Sequence, residues 1–155
     1  MIKLLLIVVI AVVYTAIQYP GSEVAQLPKQ AVADVAETVS DKLPAADQAI
    51  REAFDSRRSD LQVQGQGTVT KLLPDDNNGA RHQRFILQLP VGITVLVAHN
   101  IDLAARIPNL KVGDVVAFNG EYEWNSKGGV IHWTHHDPRG QHEAGWLRHD
   151  GVTYQ

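Results

Sequence analysis

The spacing of hydrophobic positions changes twice along the chain. Leu4 to Ile17 is an apolar run without a charge. Val32, Val35, Val39 and Leu43 then recur at helical spacing, Pro44 interrupts, and Ile50, Ala53 and Phe54 mark a second amphipathic piece. From Leu61 the period falls to two. Leu61, Val63, Gly65, Gly67 and Val69 alternate with Gln62, Gln64, Gln66 and Thr68, which predicts a strand, and its paired glycines predict a bend or a close backbone approach.

Turn chemistry divides the rest. Pro74 to Gly79 is a loop dense in Asp and Asn. A second strand runs from Arg84 to Leu89, a third from Thr94 to Ala98, a fourth from Val115 to Trp124 and a fifth from Val130 to His135. Asn100 as N-cap and Pro108 as stop predict a two-turn helix between strands three and four. Asp137-Pro138-Arg139-Gly140 fits a type I turn, and Asp150-Gly151 predicts a terminal hairpin of Trp146–His149 with Val152–Tyr154. The order strand, strand, strand, helix, strand, strand is that of the five-stranded OB barrel. The expected fold is therefore mainly β: an OB-like barrel with a short helix between strands 3 and 4 and a C-terminal hairpin. Residues 1–20 form the leader, 21–58 a helical spacer that packs on the barrel or holds it off a membrane, and 59–155 the barrel.

Lys3 ahead of the apolar run predicts that the N-terminus stays inside and the rest is exported. The leader reads as an uncleaved signal anchor or, in second place, a cleaved signal peptide. The expected location is the bacterial cell envelope, with a periplasmic domain anchored to the inner membrane.

Charge and composition narrow the partners. With 14 basic and 17 acidic residues the net charge is −3, so the chain lacks the basic footprint of a protein that holds long duplex nucleic acid. The absence of cysteine removes disulfides, thiolate metal sites and a cysteine nucleophile. Ser126, in a turn, lacks the context of a serine nucleophile.

Two functional readings follow. In OB folds ligands lie across strands two and three, between loops 1–2 and 4–5. Those loops carry Asp75, Asp76, Arg81 and His82 on one side and Glu123, Trp124, Asn125 and Lys127 on the other. The first reading is a binding module for an oligonucleotide, glycan or protein, using Arg81, Arg84, Trp124 and Lys127. The second is a metal-assisted phosphodiesterase or nuclease-like hydrolase. Its candidates for catalysis or a divalent metal are His82, His99 and His132 with Asp75 or Asp76, and Arg84 would hold the developing negative charge. All seven histidines lie in the barrel region, but strand geometry opposes a purely local site in His132-Trp133-Thr134-His135-His136: His132 and His136 would stand roughly 13 Å apart in a strand. Trp133 shares a strand face with Ile131, which predicts a core position. These residues leave open whether the barrel is an enzyme.

Four segments carry a resemblance: Arg81-His82-Gln83-Arg84-Phe85-Ile86-Leu87, His99-Asn100-Ile101-Asp102-Leu103-Ala104, Gly120-Glu121-Tyr122-Glu123-Trp124-Asn125, and Gly128-Gly129-Val130-Ile131-His132-Trp133-Thr134-His135-His136-Asp137-Pro138. Over about residues 59 to 155 the chain resembles the bacterial and phage family known as domain of unknown function 3465. The resemblance implies a small exported or anchored protein and supplies no activity, substrate or catalytic residue. A looser similarity, at the level of fold, is to staphylococcal-type nucleases, for which Asp75, Asp76, Arg81 and Arg84 supply the residue types.

Overall fold

Alternating burial along Leu61–Asp76 produces one long strand, β1, that serves two neighbours in turn. A computed structural model describes residues 45–155 of the chain. The predicted leader and the first part of the spacer lie outside the described residues. Among the described residues no helix is long and apolar enough to cross a membrane.

The remaining strands are β2 (His82–Gln88), β3 (Thr94–Asn100), β4 (Val115–Glu123), β5 (Val130–His132), β6 (Trp146–His149) and β7 (Val152–Tyr154). All seven form one sheet in the order β1-β2-β3-β5-β4-β6-β7, and β1 also pairs with β4. The first half of β1 runs antiparallel to β4 and the second half antiparallel to β2, with Thr68 facing both Val115 and Gln88. β3 and β5 close the circuit through a short parallel pairing, Leu96 with Val130 and Val97 with Ile131. Five strands thus make a ring. The change of partner needs close approach at the predicted glycine pair: a Cβ on Gly67 would lie 2.8 Å from the Gln88 carbonyl, and one on Gly65 would lie 2.9 Å from the Phe118 ring.

Inward-facing side chains fill the ring. Phe85, Leu87, Val95, Val97, Val116, Phe118, Tyr122, Ile131 and Leu147 are buried. The helix Ala45–Asp55, here α1, adds Ile50 and Ala53 to the same core. The second amphipathic piece of the predicted spacer is therefore packed on the strands. Arg57, at φ 56, turns the chain out of the helix, and Arg58 N–H donates back to the Ala53 carbonyl at 2.9 Å.

The predicted terminal hairpin forms as β6 and β7, with Asp150 and Gly151 both at positive φ, and β6 pairs with β4. The predicted helix between strands 3 and 4 does not form. Asn100 ends β3, and its side chain caps a single turn by accepting from the Asp102 N–H at 3.0 Å. The backbone beyond that turn has other partners. Buried Gln83 clamps Ile107 from both sides, accepting from its N–H at 2.8 Å and donating to its carbonyl at 3.0 Å. The His99 ring reaches the Ala105 carbonyl at 3.1 Å. Asp102 is drawn to Arg81. These contacts satisfy the groups that a helix would have paired with each other.

Candidate metal centre

Strand alternation places Glu121 and Glu123 of β4 on the face opposite the core-facing Tyr122. The Asn125–Gly129 loop fixes the register of the returning strand. Asn125 Oδ1 accepts from the Lys127 N–H at 2.8 Å and from the Gly129 N–H at 3.2 Å. In that register Glu121 faces His132 and Glu123 faces Val130, so His132 joins the two carboxylates on one outer patch.

His132 Nε2 lies 3.1 Å from Glu121 Oε1 and 4.0 Å from Glu123 Oε1. This nitrogen is out of contact with solvent and, although within ion-pair distance of Glu121, makes no well-formed hydrogen bond. Among the described residues Glu121, Glu123 and His132 are the group whose ligand atoms fall within 4.8 Å of one another. A metal held at about 2.0–2.2 Å by nitrogen and oxygen donors sets neighbouring donors about 3.3–3.5 Å apart, a spacing that the two measured distances bracket.

A fourth group approaches from the loop between β5 and β6. His142 Nε2 lies 2.6 Å from Glu121 Oε2, and its Nδ1–H donates to the Glu143 carbonyl at 2.9 Å. The loop is shaped by Asp137, whose carboxylate accepts from the N–H groups of Arg139, Gln141 and His142. Those bonds hold the Asp137 carboxyl below its usual range. Trp133 lies under the His142 ring with centroids 4.1 Å apart and planes 7° from parallel.

The expectation that Trp133 is a core residue is corrected by this geometry. β5 ends at His132, not at the predicted His135, and Trp133 adopts φ 50, which turns its side chain out of the strand alternation to a half-buried place beside the site. A bulky residue at positive φ is uncommon and strained.

Electrostatics separate the two imidazoles. Burial, which outweighs attraction to Glu121 and Glu123, lowers the pKa of His132. Burial also works against charge on His142, but there the Glu143 carbonyl and the Glu121 carboxylate prevail and raise it. His132 thus offers a neutral ring with an unpartnered nitrogen, the form in which imidazole binds a metal.

The residues singled out in the sequence are scattered around the ring. His99 is fully buried, with Nδ1 2.8 Å from Thr134 Oγ1 and Nε2 on the Ala105 carbonyl, so both ring nitrogens are engaged. His82 is half-buried at the start of β2, opposite Asn100. Asp75 pairs with Arg106, and Asp76 lies 3.7 Å from Arg84. Arg84 also donates to the Pro74 carbonyl at 3.0 Å. Arg81 pairs with Asp102 at 2.7 Å, and that contact holds the Asp102 carboxyl below its usual range. Of the proposed metal set, only His132 belongs to the cluster. Lys127 lies exposed in the 4–5 loop.

Trp124 fastens α1 to the strands. Its indole N–H donates to the Phe54 carbonyl at 3.0 Å, its backbone N–H donates to Ser59 Oγ at 3.0 Å, and the Arg57 guanidinium lies over its ring. Trp124→Phe removes the indole bond. The expected cost is about 1 kcal/mol, with faster amide exchange in α1. Unchanged exchange at Ile50 and Ala53 would contradict this role.

Residues 33–155 match the family model described as "Protein of unknown function (DUF3465)". The chain belongs to this family. The match begins well before the barrel boundary expected at residue 59 and takes in all of α1, in keeping with the burial of Ile50 and Ala53. A search of curated proteins finds no match. The DUF3465 region contains the whole Glu121–Glu123–His132 cluster and the His142 that contacts Glu121.

Proposed function

We propose that this DUF3465 protein is an envelope-anchored OB-like binding module whose ligand is a divalent transition metal. The ion is held on the outer face of β4 and β5 by Glu121, Glu123 and His132. The observation that carries the proposal is the His132 Nε2 atom, which is shielded from solvent, has no hydrogen-bond partner and faces two carboxylates. Leaving a buried polar atom unpaired costs roughly 1–3 kcal/mol, and a cation accepted by its lone pair removes that cost. One imidazole with two carboxylates suits zinc and its neighbours better than calcium or magnesium, which favour all-oxygen shells.

The ring order β1-β2-β3-β5-β4, with its parallel β3–β5 closure, supports the OB-like barrel. The Lys3 and Leu4–Ile17 pattern supports anchoring at the inner membrane with the domain outside. Binding is favoured over hydrolysis because Arg84, the cation suggested for stabilising developing charge, is held at β2 by Pro74 and Asp76.

The test is metal content of the full-length chain, purified without a histidine tag and dialysed against zinc. One equivalent is expected, and it is lost in His132→Ala and in Glu121→Gln. A metal-free wild-type chain of native melting behaviour would overturn the proposal.

A further inference from the structure

We infer that His142 is a positioning residue for Glu121, and that the centre it shapes is open, with three protein donors and one exchangeable place where a small anion replaces water. This rests on the metal-binding reading above and adds to it the mode of coordination and the class of ligand that the ion takes.

The two ring nitrogens of His142 decide its role. Nδ1 lies 2.9 Å from the Glu143 carbonyl oxygen, and Nε2 lies 2.6 Å from Glu121 Oε2. Both oxygens accept, so both nitrogens carry protons and neither offers a lone pair to an ion. The ring acts on the centre through Glu121, whose two oxygens are divided. Oε2 accepts from His142, while Oε1 faces His132 Nε2 at 3.1 Å. A carboxylate engaged in this way presents one oxygen to an ion and does not chelate it. The donors are then Glu121 Oε1, one oxygen of Glu123 and His132 Nε2. Three protein donors leave a four-coordinate ion one position for an outside ligand.

The fold keeps His142 in this role. The Asp137 carboxylate accepts from the N–H groups of Arg139, Gln141 and His142, which fixes the approach of the loop. Gly145 N–H donates to the His135 carbonyl at 3.0 Å and ties the far end of the loop back to the chain after β5. The Trp133 ring, stacked on His142, limits the directions in which the imidazole can rotate. Exposure tells which side is open. The side chains of Glu121 and His142 are 18% and 21% exposed, whereas those of His132 and Glu123 are 32% and 37% exposed. Solvent therefore reaches the centre from the His132–Glu123 side, away from the loop, and an outside ligand enters there. Hydrogen bonds from outer groups that orient ligating carboxylates commonly carry a large share of metal affinity.

Cobalt(II) tests both halves, because its visible bands respond to each change of ligand. The full-length chain is loaded with cobalt as wild type, His142→Ala and His142→Gln, and azide is titrated into each. In wild type azide is expected to shift the bands and to saturate at one equivalent per cobalt, with the cobalt retained on gel filtration. His142→Ala is expected to bind cobalt about 10–100-fold more weakly. His142→Gln, whose amide N–H can still donate to Glu121, is expected to recover most of that loss. Melting of the metal-free chains separates positioning from loop anchoring: a residue that only anchors the loop lowers the melting temperature and leaves cobalt affinity unchanged. Unchanged affinity in His142→Ala would overturn the positioning role, and wild-type bands indifferent to azide would overturn the open position. Wild type that binds neither cobalt nor zinc would remove the metal-binding reading and this inference with it.

Discussion

Gly128→Ala is expected to destabilise the domain by about 3–5 kcal/mol, with a fall in melting temperature of roughly 10–20 °C. Two effects combine at this position. The residue sits at φ 116, a conformation that side chains rarely adopt, and a Cβ there would lie 1.8 Å from the Thr94 carbonyl oxygen. The loop cannot retreat without cost, because the neighbouring Gly129 carbonyl accepts from the Leu96 N–H at 3.0 Å and the buried Tyr122 hydroxyl donates to the Gly128 carbonyl at 3.1 Å. These contacts hold the β4–β5 hairpin against β3 and so close the ring. The same hairpin sets Glu121 opposite His132. Thermal unfolding followed by circular dichroism checks the stability loss, and a change below about 1 kcal/mol would show that the loop opens freely.

The sequence made much of the ring legible because burial on one face leaves a period-two record. β2 to β4 and the terminal hairpin were readable from alternation and turn residues, with small errors at strand ends, but β1 runs on to Asp76 through Pro74-Asp75-Asp76, which the turn residues marked as loop, because Asp76 still pairs with His82 of β2. The helix between β3 and β4 was not, because its competitors are remote. Nothing local in residues 101–108 announces that Gln83, His99 and Arg81 will take the hydrogen-bonding groups a helix would use. The position of Trp133 was misread for a related reason. Alternation was carried beyond the point where β5 stops, and no local residue signals positive φ at a tryptophan.

The candidate site was partly available. Glu121 and Glu123 alternate on a predicted strand, and the predicted five-residue loop 125–129 joins that strand to the next. Counting outward from it pairs Tyr122 with His132, one place from the observed Glu121–His132 pairing, because Trp124 lies outside β4 and six residues separate Glu123 from Val130. Histidines taken alone join His132 to His82 and His99 across the ring and pass over the carboxylate beside it. The approach of His142 depends on the fold of the Asp137 loop and could not be counted in the same way.

Stability between pH 6.5 and pH 4 is expected to fall by about 3 kcal/mol because of His99. Its ring is fully buried, and its pKa is lowered from 6.5 to about 4, chiefly by burial. Charge on His135 and His82 adds to the effect, while the Ala105 carbonyl and Thr134 oppose it. Within that window the unfolded chain holds a proton on this ring that the native chain does not, so falling pH favours unfolding. Above about 6.5 both states are neutral at His99 and the contribution is flat. At about 1.4 kcal/mol for each tenfold difference in proton affinity, the gap gives the stated magnitude. Other groups can be separated from it. His142, raised in the native state, stabilises at low pH and loses that contribution as pH rises through its native value. Asp102 and Asp137, depressed in the native state, weaken the fold only below the ordinary carboxylate range. His132, also lowered, adds a slope of the same sign as His99, so the comparison must be made within a His132→Ala background. In that background, urea unfolding at pH 7.0, 5.5 and 4.5 with a chelator present should show the loss, and His99→Gln should remove most of it. A slope that survives the His99→Gln change would mean that another buried group carries the acid sensitivity.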